Sequence, residues 1–228
     1  MWGGLGRGKF KMVRVKICGI TSELDAQRAA RAGAWGLGFI FHKKSPRYIS
    51  PFKAKKIIDT LPPFITPVGV FVNHNAGAMR DIINHCGLRA VQLHGEEDHH
   101  FCHRLRRYNV KIIKVFRVGT DFDPKAVENY KVDAFLFDTY DQHNYGGTGK
   151  TFDWNVLKQI KSTNDVPIIL SGGLNSQNVI EPVNVFKPYA VDVNSGVEEA
   201  PGKKDAKKMK DFIDIVTYIS GAKVKEHV

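Results

Sequence analysis

The 228-residue chain is 43% hydrophobic and 25% charged, a balance that builds a packed core and excludes a disordered or low-complexity polymer. Three cysteines without a CxxC pair exclude a disulfide framework, and no apolar run reaches the roughly 18 residues of a membrane span, so we expect a cytoplasmic protein with no membrane partner. The net charge of +11 raises nucleic acid as a partner, but Lys203, Lys204, Lys207, Lys208 and Lys210 are interleaved with Asp205, Asp211 and Asp214, and no nucleic-acid recognition motif is visible.

Residues 1–11 lack an apolar signal core and read as a flexible extension, with Met12 as an alternative start. From residue 12 to 220, short apolar runs alternate with amphipathic segments, and residues 221–228 form a tail. The strand candidates are 13–17, 35–41, 66–72, 90–93, 111–116, 134–138, 167–170 and 190–194. Helical spacing links Met79, Ile82, Ile83 and Cys86, and again Met209, Phe212, Ile213, Val216 and Ile219. Helix starts are marked by Thr21-Ser22-Glu23, Ser50-Pro51, Asp153 and Asn175. Eight β/α repeats without a linker predict a single-domain α/β fold, the (βα)8 TIM barrel. An open doubly wound sheet with two extra strands gives the same alternation; the polar strand ends favour the closed form, because a barrel collects its chemistry there.

Strand 1 delivers Cys18 just before a glycine and a helix start, and strand 2 leads into Ser45-Pro46-Arg47-Tyr48. Strand 3 leaves Asn73, strand 4 Gln92 and His94, strand 5 Arg117, and strand 6 Asp138-Thr139. Strands 7 and 8 leave Ser171-Gly172-Gly173 and Asp192, Asn194, Ser195, Gly196. A free cysteine is more often a buried small hydrophobe than a reactive group, yet Cys18 shares its position with a polar residue on almost every other strand. Glycines after strands 7 and 8 let backbone N–H groups approach an anion, which favours a phosphate station over two unrelated turns.

Asp138 closes the run Phe135-Leu136-Phe137-Asp138, and a carboxyl group in apolar surroundings holds its proton more readily, as a general acid must. The bland reading of Asp138 is a helix cap or a solvated loop residue. Strands 1 and 6 lie across the ring, so Cys18 and Asp138 are placed to flank a substrate as base and acid. An ordinary thiol is only a few per cent ionised at pH 7, so the site is expected to lower the pKa of Cys18. Lys16 is close in sequence, and no role is assigned to it.

Two motifs fail. Gly149-Lys150-Thr151 has the tail of a phosphate-binding loop, but Asn144 stands where its first glycine belongs. His94, His99, His100 and His103 lack a metalloprotease spacing and read as a polar helix face, so no metal is assigned.

The residues resemble the phosphoribosylanthranilate isomerase family of tryptophan biosynthesis. The resemblance runs through KICGIT (16–21), GLGFIF (36–41), SPRYI (45–49), VGVFVN (68–73), VQLHG (91–95), FDT (137–139), GGTGKTFDW (146–154), LSGGL (170–174) and VDVNSGVE (191–198). It implies a TIM barrel performing an acid/base Amadori rearrangement, with Cys18 as general base and Asp138 as general acid. It implies Arg47 as partner of the anthranilate carboxylate and Gly172-Gly173 and Ser195-Gly196 as the phosphate site; the polar strand ends add Gln92, His94 and Asp192 as expected substrate contacts and Asn194 to the expected phosphate site. No cofactor is needed, because the substrate nitrogen is the electron sink. Asn194 stands where the family usually has serine, which puts any side-chain role there in doubt. Another sugar-phosphate isomerase or epimerase on the same barrel, or a basic nucleic-acid-binding barrel, stays open as an alternative. A homodimer or a contact with a neighbouring pathway enzyme is not readable from the sequence.

Overall fold

The computed structural model describes residues 12–119, 122–139, 160 and 165–221. Eight parallel strands close in sequence order into a barrel: β1 (Arg14–Ile17), β2 (Gly36–Ile40), β3 (Thr66–Phe71), β4 (Ala90–Leu93), β5 (Lys111–Val118), β6 (Ala134–Thr139), β7 (Ile168–Leu170) and β8 (Ala190–Val193). β1 pairs with β8, with Lys16 opposite Asp192, and this seam removes the open-sheet alternative. All eight strands lie where the short apolar runs place them.

Among the described residues the helices with given bounds are α1 (Glu23–Ala32), α2 (Pro51–Ile58), α3 (Ala76–Cys86), α4 (His99–Leu105), α5 (Ile180–Phe186) and α6 (Ala206–Gly221). Ser22 and Ser50 cap α1 and α2 by accepting the N–H groups of Asp25 and Lys53, with Pro51 preset for the first turn of α2. Asn175 behaves otherwise than expected. Its carboxamide oxygen accepts from Gln177 and Asn178 and closes a turn, while α5 begins at Ile180. The repeat is also uneven: among the described residues between β5 and β6 the chain makes the 3-10 turn Pro124–Val127 and no α-helix. The cap expected at Asp153, the segment 146–154, and the extension 1–11 lie outside the described residues.

Alternation along the strands divides the core in two. Val68, Ala90, Ile113, Val115, Ala134, Leu136, Ile169 and Ala190 fill the lumen, and Cys18, Ile40 and Val70 form a smaller layer nearer the strand ends. The opposite faces, including Ile17, Leu37, Phe39, Phe71, Leu93, Phe135 and Phe137, pack against the helices. After β8 the chain adds a hairpin of β9 (Glu198–Ala200) and β10 (Lys203–Lys204), too short to be visible as apolar periodicity. Thr21 donates to the Gly202 carbonyl and holds this hairpin over the β1 loop. On α6, Lys207 and Lys210 pair with Asp211 and Asp214 one turn on, as a solvated face does. No helix among the described residues is long and apolar enough to cross a membrane.

Candidate active site

Cys18 follows β1 directly, and its N–H donates to the Val193 carbonyl at 2.8 Å, continuing the β1–β8 ladder. Its side chain is buried beside Ile40 and Val70. Two residues back, and therefore on the same face of the strand, Lys16 is buried with Nζ 2.7 Å from Asp192 Oδ1. Cys18 Sγ and Lys16 Nζ converge on Gly38 of β2, where a Cβ would lie 2.7 Å from the sulfur and 3.1 Å from the ammonium. The expected depression of the thiol pKa does not hold in the unliganded protein. Burial pushes it up, Lys16 pulls it down, Asp192 pushes it up and Lys204 pulls it down, and the sum is upward. For Lys16, burial disfavours the ammonium, but Asp192 and Cys18 more than offset that and raise its pKa.

Asp138 lies three strands from Cys18 around the ring, on β6. Its carboxylate is not enclosed by the three apolar residues before it: it is 24% exposed and sits 3.2 Å from His94 Nε2. His94 Nδ1 in turn lies 3.3 Å from Gln92 Nε2, so β4 and β6 share a chain Gln92–His94–Asp138. Gln92 is fully buried and its Oε1 has no partner among the described residues. Gln92 and Asp192 thus lie beneath the mouth, engaged with His94 and Lys16, while His94 and Arg117 border a cavity of about 220 Å³ with Phe116 and Tyr130.

The loop after β2 brings in Arg47, whose Nε and Nη2 form a fork on Glu198 at 2.7–3.1 Å. Glu198 also takes Lys204 Nζ at 2.9 Å, so one buried carboxylate holds two cations. Burial pushes the Glu198 carboxyl up, but Arg47 and Lys204 outweigh it and hold it below the ordinary value. Lys204 is fully buried and burial lowers its pKa, partly offset by Glu198. The same ammonium donates to the backbone oxygen of Asn194 and to its Oδ1 at 2.9 Å. The Asn194 side chain is therefore turned to Lys204, which leaves its neighbours' backbone for an anion.

Those neighbours are close together. Gly172 and Gly173 after β7 both have positive φ, 90° and 62°, where a side chain would be strained. A Cβ on Gly196 would lie 1.9 Å from the Leu174 carbonyl oxygen, so the loops after β7 and β8 touch only because residue 196 is glycine. Ser195 opens a 3-10 turn there.

Reading the sequence left Lys16 without a role and passed over Glu198, and it grouped Lys204 with a solvated basic face, whereas Lys204 is buried against Glu198. Period-two alternation from Cys18 singles out Lys16, since a lysine on the face that fills a barrel lumen needs a charge partner. Nothing local singles out Glu198, whose partner Arg47 is 151 residues away.

With this geometry the chain can be set beside known proteins. Residues 15–215 match the N-(5'phosphoribosyl)anthranilate (PRA) isomerase family. N-(5'-phosphoribosyl)anthranilate isomerase of Geobacter sulfurreducens is 49% identical over 202 residues, 89% of this chain and 97% of that protein. The crystal structure of phosphoribosyl anthranilate isomerase from Thermotoga maritima superimposes with a TM-score of 0.85 at 44% identity, covering 90% of this chain and 98% of that one. Two further structures at 41% identity and the same coverage are described as monomers generated from the dimeric Thermotoga maritima enzyme (TM-score 0.80) and as the isomerase in complex with reduced 1-(o-carboxyphenylamino)-1-deoxyribulose 5-phosphate (TM-score 0.81). The chain belongs to the N-(5'-phosphoribosyl)anthranilate isomerase family.

Proposed function

We propose that the chain converts N-(5'-phosphoribosyl)anthranilate to 1-(2-carboxyphenylamino)-1-deoxyribulose 5-phosphate in tryptophan biosynthesis, with Cys18 as base and Asp138 as acid. The observation that carries the assignment of roles is the placement of a thiol beside an ammonium on β1 and a carboxylate beside an imidazole on β6, at the same end of one barrel.

Asp138 donates a proton to the furanose ring oxygen, the C1'–O bond breaks, and the anthranilate nitrogen supplies its lone pair to leave an iminium ion. His94 holds the Asp138 carboxyl in place for that transfer. The iminium acidifies C2'–H, the Cys18 thiolate takes that proton, and the bonding electrons form the C1'=C2' enolamine. The enolamine gains a proton at C1' and loses the one on its oxygen to give the ketone, and exchange with solvent restores both catalytic groups. General acid or base catalysis of this kind contributes about 10²- to 10⁴-fold per group.

Arg47 presents its guanidinium to the anthranilate carboxylate. Glu198 occupies the Nε and Nη2 edge, so the side chain is preset and Nη1 lies outside the fork. The phosphate is held by backbone N–H groups of Gly172, Gly173, Ser195 and Gly196, with Asn194 contributing through its main chain because its carboxamide is held by Lys204. Gln92 and Asp192 serve the substrate through His94 and Lys16.

We place the enzyme in the cytoplasm, consistent with three buried free cysteines. We also infer a homodimer. The relative from Thermotoga maritima is described as dimeric, and the α2–β3 loop here carries Phe64 at 92% exposure, at the barrel end away from the site. Sedimentation equilibrium checks it: a dimer that Phe64→Ser dissociates is expected, and a wild-type monomer refutes it.

The direct test of activity is loss of anthranilate fluorescence when purified protein meets freshly made phosphoribosylanthranilate. Catalytic decay supports the reading, and decay at the uncatalysed rate refutes it.

A further inference from the structure

Lys16 is a buried charge on the same strand face as the thiol, and neither the resemblance nor the acid/base scheme gives it a role. A lysine and an aspartate in a barrel lumen are weak stability devices, because apolar residues of similar volume fill such a place at least as well. Their presence calls for another reason. Lys16 and Asp192 face each other in register across the β1–β8 seam, with Lys16 Nζ 2.7 Å from Asp192 Oδ1 and on the same strand face as the Cys18 thiol.

Space for this meeting comes from β2. A Cβ on Gly38 would lie 2.7 Å from Cys18 Sγ, 3.1 Å from Cys18 Cα and 3.1 Å from Lys16 Nζ. Any side chain at Gly38 would force the sulfur or the ammonium away, so the cleft on β2 fits the pair rather than either group alone.

We propose that Lys16 is the positioning residue that stabilises the Cys18 thiolate formed for proton removal, with Asp192 fixing Lys16 and tempering its charge. The proposal rests on Cys18 being the base. The charged groups facing the sulfur are Lys16 from β1, Asp192 from β8 and Lys204 from β10, while β2 and β3 offer Ile40 and Val70. Lys204 is already committed to Glu198 and Asn194, so Lys16 is the cation whose placement answers to the sulfur. When the thiolate takes the C2' proton, S–H forms and C2'–H breaks. Lys16 keeps its three protons throughout and loses only its anionic partner.

The two members of the pair act on the thiol with opposite sign, and that gives a test a merely structural role would not pass. Removing Lys16 destabilises the thiolate; removing the Asp192 charge stabilises it. The measurement is the pH dependence of Cys18 alkylation by iodoacetamide in substrate-free protein, followed by mass spectrometry of the Cys18 peptide, for wild type, Lys16→Met and Asp192→Asn. Lys16→Met is expected to move the profile up by about one pH unit or more. Below the midpoint that is about threefold slower alkylation, once the higher nucleophilicity of a more basic thiolate is allowed for. Asp192→Asn is expected to move it down. Shifts in the same direction, or no shift in either variant, overturn the proposal. If Lys16→Met does not fold, Asp192→Asn decides alone: a downward shift supports it and an unchanged or upward profile overturns it. Turnover by Cys18→Ser in parallel separates the two layers, because a fully active Cys18→Ser removes the base assignment whatever the alkylation shows.

Discussion

The two sides of the mouth are built differently. On the β1–β8 side the thiol sits in a dry layer with Lys16, Asp192, Glu198 and Lys204, all below about a tenth exposed and all paired. On the β4–β6 side His94 and Asp138 are each about a quarter exposed, and the other neighbour of the imidazole is a neutral amide, Gln92. A carbon acid gives up its proton to a base that water does not solvate, so burying the thiolate raises its basicity at the cost of its population. An acid that must reload between turnovers gains from contact with solvent. In the proposed scheme the contrast places the base among fixed buried charges and the acid at the solvent edge beside an imidazole.

The comparison breaks first at Asp138. Asp138→Asn keeps the shape beside His94 but has no proton to give, so kcat is expected to fall about 10²- to 10⁴-fold, with little change in affinity for a reduced product analogue. Near-normal kcat in the Asn variant would return Asp138 to a structural role. Next is Arg47→Ala, which removes a charged hydrogen bond and should raise KM about 10- to 100-fold, more than it lowers kcat. An unchanged KM means the carboxylate is held elsewhere.

The pH profile sharpens the comparison. The Cys18 thiol is raised in the folded protein, so its thiolate fraction grows as pH rises. Because turnover needs the thiolate and the protonated acid together, kcat/KM should rise with pH while the acid keeps its proton and level off above that point, without falling until the thiol is ionised as well. A profile falling from pH 7 to 8 would contradict a base on the dry side. Glu198 gives the matching stability statement. Its folded pKa lies below its unfolded one, so its contribution is full above about pH 4.5 and is lost as pH falls through the folded value. Thermal unfolding in the Glu198→Gln variant should therefore lose part of the wild-type acid sensitivity. The smallest effect is at the start of α2: Ser50→Ala removes the cap that accepts the Lys53 N–H, about 1 kcal/mol of stability read as a lower Tm.

The barrel was legible because each strand is a short β-branched or aromatic run ending in a polar residue, and Ser22 and Ser50 announce their helices chemically. Cys18, Arg47, His94 and Asp138 stood out because strand ends are where this architecture exposes side chains. What stayed hidden depends on distant pairing. Asp192 reads as one more polar strand residue until β8 closes on β1, 176 positions from Lys16, and only then does a lysine between Val15 and Ile17 acquire a meaning. The β9–β10 hairpin is held by Thr21, Arg47 and Lys204 contacts rather than by periodicity, so pattern reading passes over it. Asn175 carries cap chemistry that a turn used first. The thiol pKa was misjudged because ionisation depends on burial, which sequence neighbours do not report.

The central claim is that Cys18 is the base on the dry side. Its most direct test is kcat of Cys18→Ser in the fluorescence assay, with circular dichroism alongside. A hydroxyl of similar size keeps the packing against Ile40 and Val70, but its far higher pKa leaves almost no anion beside Lys16. The account predicts a folded protein with kcat reduced about 10²- to 10⁴-fold; a folded variant that keeps more than about a third of wild-type kcat would contradict it.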